Sequence, residues 1–290
     1  MRLVLVILSS VLIGSPAPAQ IRMGTRGERA FAVVVANNFP LESHLDKLKF
    51  SDDDAARFVE LISSLPHAHI ELLAYLDNDT RLLFPRLAER ARPPRFDELR
   101  EAMERTNQAM IRARREGYGT TLYFYFSGHG GVGKDHVGYL HLLDRKFYRS
   151  DLFREVIRRS QADTNHIILD SCNSYFVVKP RGERAVTRAI DNFLSNEDLA
   201  RYPNTGVIVS TAGKADTYEW TKIRSGLFSH QLLSALSGAA DVDGDFEIGY
   251  HEAAAFVAAA NYAVRDAQAK LHFFAQAPKT RQRMALFSLK

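Results

Sequence analysis

Two apolar runs constrain this chain most. Thr120-Thr-Leu-Tyr-Phe-Tyr-Phe126 leads into Ser127-Gly-His-Gly-Gly131, and His166-Ile-Ile-Leu169 leads into Asp170-Ser-Cys-Asn-Ser174. A strand that is apolar at successive positions, not at alternate ones, is covered on both faces, as parallel strands inside an α/β sheet are. Each run therefore reads as a buried strand that stops at one reactive side chain, His129 on a small-residue turn and Cys172 on a polar one. Cys172 is the only cysteine in the chain, so thiol chemistry can occur nowhere else and no intramolecular disulfide can form.

The remaining segments supply the alternation that such a sheet needs. Ala30 to Ala36 is a third apolar run of strand length, closed by Asn37-Asn38-Phe39-Pro40. Ser51 can cap a helix whose first turn holds Asp52, Asp53 and Asp54 and whose buried stripe is Ala55, Phe58, Val59 and Ile62. His69 to Leu76 reads as a strand and Thr80 to Arg90 as a helix. Pro93-Pro94 breaks the chain before an amphipathic helix over 96–115, with Leu99, Met103, Ala109 and Ile111 among its apolar positions. Val137 to Leu143 reads as a strand or hairpin on the sheet edge, and Ser150-Asp151 caps a helix over 152–159. Gly206 to Thr211 is a further buried strand, 226–236 and 250–268 are helices, and 284–289 is a final strand. The sum is about six strands, mostly parallel, with helices on both faces.

The first nineteen residues stand apart. Arg2 precedes the apolar stretch Leu3–Leu8 and Val11–Ile13, and Ala17-Pro18-Ala19 offers a small-x-small cleavage site, the pattern of a secretory signal. A bilayer span needs roughly 20 apolar residues, about twice this length. We expect residues 1–19 to be removed and residues 20–290 to form one domain, exported to a periplasm or to the medium, with no membrane contact after removal. Losing Arg2 lowers the formal charge from +4 to +3. The basic residues are spread among acids as on solvated helix faces, without the dense stripe and stacking aromatics of a nucleic-acid groove.

The chemistry follows from the two strand ends. A thiol with a pKa of about 8.5 is a modest nucleophile until a partner takes its proton, and histidine does this near neutral pH. The carboxyl ends of neighbouring parallel strands converge on one edge of an open sheet, where ligands bind. His129 and Cys172 both belong to such ends. Gly128, Gly130 and Gly131 clear side chains from around the histidine and leave backbone amides for a developing oxyanion. His136, His141 and His166 show no metal-ligand spacing.

Ser127-Gly-His-Gly130 together with Asp170-Ser-Cys-Asn-Ser174 resembles the histidine and cysteine blocks of caspase-like cysteine peptidases, closer to the metacaspase and paracaspase branch than to animal caspases. The likeness includes Asn37-Asn38, Leu48 to Ala55, Ser210-Thr-Ala212, Gly226-Leu-Phe-Ser229 and Gly238 to Asp241, and so spans most of the chain. It implies a caspase-like three-layer sandwich, with a large-subunit-like part over about 27–178, a basic linker over about 179–204 and a small-subunit-like part over about 205–290. It implies an endopeptidase with His129 and Cys172 as the dyad and the amides of Gly130 and Cys172 as the oxyanion hole. Asp170 would lie at the base of the substrate pocket and select Arg or Lys, with Ser210, Asp52 and Asp54 as further pocket candidates. Arg181, Arg184 and Arg188 would be self-cleavage sites. Residue 173 is Asn where metacaspases usually carry His. A catalytically silent module that binds partners is the alternative from another class.

No redox cofactor or metal is required by this chemistry. Asp241-Val-Asp-Gly-Asp-Phe-Glu-Ile-Gly-Tyr-His-Glu252 raises calcium, because its acids match positions 1, 3, 5 and 12 of an EF-hand loop. Phe246, however, occupies the position that wants glycine, and Gly244 sits two places early. A turn that caps the following helix is the plainer reading. The expected partner is a protein or peptide substrate.

Overall fold

The structure, a computed structural model, describes residues 26–132, 138–172, 197–212, 219–262, 264, 271–281 and 285–290. The expected signal at 1–19 and the self-cleavage candidates Arg181, Arg184 and Arg188 lie outside the described residues. Among the described residues, no helix is long and apolar enough to cross a membrane.

Strands β1 (Glu28–Asn37), β2 (His69–Ala74), β3 (Gly119–Val132), β6 (Thr164–Cys172), β7 (Thr205–Ala212) and β11 (Leu271–Gln276) form the main sheet in the order β11-β7-β6-β3-β1-β2. All neighbours are parallel except β11, which runs antiparallel to β7. The continuous apolar runs are explained by two-sided burial. Phe31, Val33, Val35, Phe124, Phe126, Ile167 and Leu169 face one core cluster, and Ala32, Val34, Ala36, Tyr123, Tyr125 and Ile168 face the other. The first cluster is closed by helix α4 (Phe96–Arg115) through Leu99, Ala102, Met103, Met110 and Ala113 and by the π-helical segment Leu152–Ile157. The second is closed by α1 (Ser51–Ser63), α7 (Leu227–Ser234) and α8 (Tyr250–Tyr262). The result is the three-layer α/β sandwich expected from the sequence.

Several local expectations are corrected. Ser51 does not cap α1: it lies inside the helix, whose N-cap is Phe50 with no side-chain cap. Asn38, at the end of β1, takes the capping role, its Oδ1 accepting from Ser51 N at 3.0 Å while its Nδ2 donates to Asp52 Oδ1 at 2.6 Å. The helix expected over 80–90 divides into α2 (Asn78–Leu83) and α3 (Pro85–Ala88), because Pro85 has no N–H to carry the ladder through. Ile111 and Ala109 are only partly buried, and Met110 takes the inward position in α4.

Strand β3 does not stop in a turn at Ser127: it runs on through His129 to Val132, where it pairs antiparallel with β4 (Gly138–His141), itself paired with β5 (Lys146–Tyr148). The hairpin thus hangs from the end of a central strand and not from the sheet edge. Ser150 and Asp151 fall in the turn α5 (Arg149–Asp151); Asp151 is the N-cap residue of Leu152–Ile157, but its side chain caps the turn instead, Oδ2 accepting from Tyr148 N at 3.0 Å. Helix α8 is described over Tyr250–Tyr262 and Val264 is non-helical; residues 265–268 of the expected helix lie outside the described residues. The last strand, β12 (Phe287–Ser288), pairs with β10 (Glu247–Ile248) in a small ladder of its own, and β11, where no strand was expected, completes the main sheet. Further elements among the described residues are α6 (Glu197–Ala200), the hairpin of β8 (Glu219–Trp220) and β9 (Ser225–Gly226), the π-helical segment Ala235–Ala239 and the 3-10 turn Lys279–Arg281.

Asn38 joins β1 to α1 through two buried hydrogen bonds, one of them to a carboxylate. Asn38→Ala should lower unfolding stability by about 2 kcal/mol, since it strips a helix cap and removes one partner of a buried charge. Urea denaturation of the two proteins would show it as a lower midpoint at unchanged slope.

Candidate active site

The parallel register builds the site. Asn37, Gly128 and Ser171 stand side by side on β1, β3 and β6, as do Ser127, Asp170 and Ser210 on β3, β6 and β7, and the backbone of His129 is opposite that of Cys172. The two predicted reactive residues are therefore at matching positions of adjacent strands. Close packing at this edge explains its glycines: a Cβ on Gly128 would lie 2.9 Å from the Asn37 carbonyl, and one on Gly131 would lie 2.7 Å from the Tyr139 ring. Gly130 is in register with Leu140 of β4.

His129 is 8% exposed. Its Nε2 lies 2.9 Å from the carbonyl oxygen of Asp46, in the loop between β1 and α1. A carbonyl can only accept, so Nε2 carries the ring proton and the lone pair of the neutral imidazole is on Nδ1. Asp46 was not among the predicted site residues, and no sequence signal could have named it, since it acts through its backbone.

Asp170, also buried, accepts a short hydrogen bond at Oδ2 from Ser229 Oγ. Ser229 has one proton and gives it to that carboxylate, so the 2.6 Å contact between Tyr125 and Ser229 is donated by the tyrosine. Gly226 is flanked by two carboxylates: a Cβ there would meet Asp54 Oδ2 at 3.1 Å and Asp170 Oδ2 at 3.4 Å. Asp54 in turn accepts from Ser225 Oγ and, at 2.9 Å, from Gly226 N. Burial, and after it the charge of Asp170, pushes the Asp54 carboxyl well above the usual carboxylate range.

The three aspartates of α1 thus have three fates. Only Asp54 reaches Asp170. Asp52 accepts from Asn38 and from Asp77 N at 2.8 Å, which places it between β1 and α2. Asp53 holds Thr80 and Arg224, and Arg224 also reaches Asp79 at 2.9 Å. With Arg57 Nη2 donating to Ile223 O at 3.3 Å, these contacts clamp the segment that delivers Ser225 and Gly226 onto α1. Ser210 is buried beside Asp170 in the strand register. Asn173 lies outside the described residues.

The acidic stretch 241–252 brings ligand atoms of Asp241, Asp243 and Glu252 within 4.8 Å of one another. Its carboxylates also serve as turn caps: Asp241 accepts from Gly244 N and Phe246 N, Asp243 from Asp245 N, and Glu252 from Gly249 N at 2.7 Å. Left-handed backbone occurs at both Gly244 and Phe246, so the turn bends where the sequence has its glycine and again where an EF-hand would want one.

No curated protein sequence matches this chain. Among solved structures, caspase-1 from Spodoptera frugiperda is similar with a TM-score of 0.52 over 94% of this chain and 94% of its own, at 11% identity. A protein of Geobacter sulfurreducens is similar with a TM-score of 0.47 over 91% of this chain and 99% of its own, at 13% identity. The first of these supports the fold alone. The family model described as the caspase domain matches residues 29–287, nearly the whole length, a span that includes β3 and β6. The chain belongs to the caspase domain family, a family of cysteine peptidases.

Proposed function

We propose that the protein is an exported cysteine endopeptidase that cleaves after Arg or Lys, with His129 as base and Cys172 as nucleophile. The observation that carries this reading is the register: His129 opposite Cys172, with the buried carboxylate of Asp170 two residues upstream of the cysteine. His129 Nδ1 takes the thiol proton while Nε2–H donates to the Asp46 carbonyl, which favours the imidazolium so formed. The thiolate adds to the scissile carbonyl, and the oxyanion is received by the amides of Gly130 and Cys172. The tetrahedral intermediate collapses, the amine leaves with the proton from His129, and water then hydrolyses the thioester by the same route in reverse. Asp170 and Asp54, flanking Gly226, receive the guanidinium or ammonium of the residue before the scissile bond.

A panel of peptides carrying Arg, Lys, Asp or Asn before a fluorogenic group tests this directly. The wild type should turn over the Arg and Lys members, and a chloromethyl ketone built on the same basic peptide should add one label at Cys172. Absence of turnover on every member, with wild type equal to Cys172→Ala, would overturn the proposal in favour of a silent binding module.

A further inference from the structure

We propose that His141 and Glu42 form a positioning pair that holds the Asp46 carbonyl against His129, so that a second histidine fixes which nitrogen of the catalytic base carries its proton. The inference rests on the peptidase reading of His129 and Cys172. The loop after β1 has little regular structure, yet it must present one carbonyl oxygen to His129 within hydrogen-bond distance. Something must fasten it, and the fastening is at Leu41 and Glu42.

His141 ends β4 and is fully buried. Leu41 N donates to its Nδ1 at 3.1 Å, so the proton of the neutral ring is on Nε2, which faces Glu42 Oε2 at 3.0 Å. That second contact is close but poorly aligned for a hydrogen bond. The other Glu42 oxygen accepts from Tyr139 OH at 2.9 Å and is paired with Lys146 at 2.8 Å, so β4 and β5 both grip this carboxylate. The main chain of His141 is held too, its carbonyl accepting from Asn37 Nδ2 at 2.9 Å, and the same amide nitrogen donates to Phe39 O. Leu45 N then bonds to Glu42 O, carrying the fastened segment up to Asp46.

The His141 ring lies 5.6 Å from that of His129 and 5.4 Å from that of Tyr139. The charged and titratable groups around it are Glu42 and His44 from the loop, His129 from β3, Tyr139 from β4 and Lys146 from β5. Burial first, then His129, Lys146 and His44, push His141 down against the pull of Glu42, to about 4. It stays neutral at working pH and adds no positive charge beside an imidazolium that the reaction must form. Lys146 and Glu42 compensate each other a step further out.

The test uses the rate at which iodoacetamide alkylates Cys172 as a function of pH, together with kcat and KM on an Arg peptide. It is applied to the full chain and to His141→Phe, Glu42→Ala and Glu42→Gln. Displacing the loop by an ångström should lower kcat about 100-fold with KM nearly unchanged, as for an interaction made mainly in the transition state. The alkylation midpoint should rise toward the free-thiol value of about 8.5. Glu42→Gln keeps an acceptor for Tyr139 and His141 and should recover most of the loss, which a purely structural role would not predict. If His141→Phe does not fold, Glu42→Ala carries the same test from a partly exposed position. Wild-type midpoints and kcat in both variants would overturn the proposal. If the wild type cleaved no peptide, the peptidase reading would fail separately, and the alkylation midpoints would still decide the role of His141.

Discussion

Replacing Asp170 by asparagine is expected to lower kcat/KM for an Arg peptide by about 10³-fold, because truncating one partner of a buried charge pair typically costs a few kcal/mol. Cys172 should keep its reactivity toward a small uncharged alkylating agent, since the Asp170 carboxylate is held by Ser229 on the Gly226 side of the site. Asp54→Asn should act more mildly and with a pH signature. Asp54 is pushed up by burial and by the charge of Asp170, and a guanidinium placed beside it would favour the ionised form. KM for the Arg peptide should therefore rise as pH falls toward that raised value, and Asp54→Asn should flatten the rise.

Stability should move the other way. A carboxyl whose folded-state pKa is raised favours the fold below its unfolded value and loses that contribution as pH rises through the folded one. Asp54→Asn should thus raise the melting temperature at pH 8, the expected cost of holding two carboxylates ready for a guanidinium. Measured peptide kinetics and thermal melts separate the two effects. An Asp170→Asn enzyme that kept its preference for Arg over Asn would remove the pocket assignment while leaving the dyad untouched.

The sequence made the sheet legible because two-sided burial erases polar alternation. Ala30–Ala36, Leu122–Phe126 and Ile167–Leu169 could scarcely be anything but central strands. The pairing of His129 with Cys172 was legible because each stands where an apolar run stops, on strands that the alternation of elements makes neighbours. What was not legible depends on atoms without a side-chain signature or on distant partners. The Asp46 carbonyl is anonymous in sequence. Asn38 caps a helix from thirteen positions away, and a local reading gives that role to Ser51. Asp52, Asp53 and Asp54 look alike as a helix start, but successive residues on a helix point about 100° apart, so three neighbours had to meet three environments. Strand β11 was hidden because Phe273 to Gln276 are only partly buried at an edge, with no long apolar run to mark it.

A strand histidine without metal spacing, His166, is expected to govern much of the protein's response to acid. It is fully buried in β6, its Nδ1 2.7 Å from Tyr250 OH and its ring stacked 5.0 Å from Tyr123, and burial depresses its pKa to about 3. The unfolded chain takes up a proton near 6.5 and the folded one does not, so stability is full above that value and is lost as pH falls from about 6.5 toward 3. The loss should reach about 2 kcal/mol at pH 5 and roughly 4 kcal/mol by pH 3. His141, held down to about 4, should add to it in the same window. The raised carboxyl of Asp54 contributes a slope of opposite sign, but it is common to wild type and variant and cancels from their difference. Although burial pushes Glu71 up, its bonds from Arg105 and the nearby His69 carry it down to about 2, so its contribution is lost only at far lower pH. His166→Asn leaves an atom for Tyr250 to bond and removes the titration. Whatever its absolute stability, its unfolding free energy should fall less steeply between pH 7 and 5 than that of the wild type, by about 2 kcal/mol over the interval. Equal slopes would mean that His166 takes up its proton within the fold and would overturn this account.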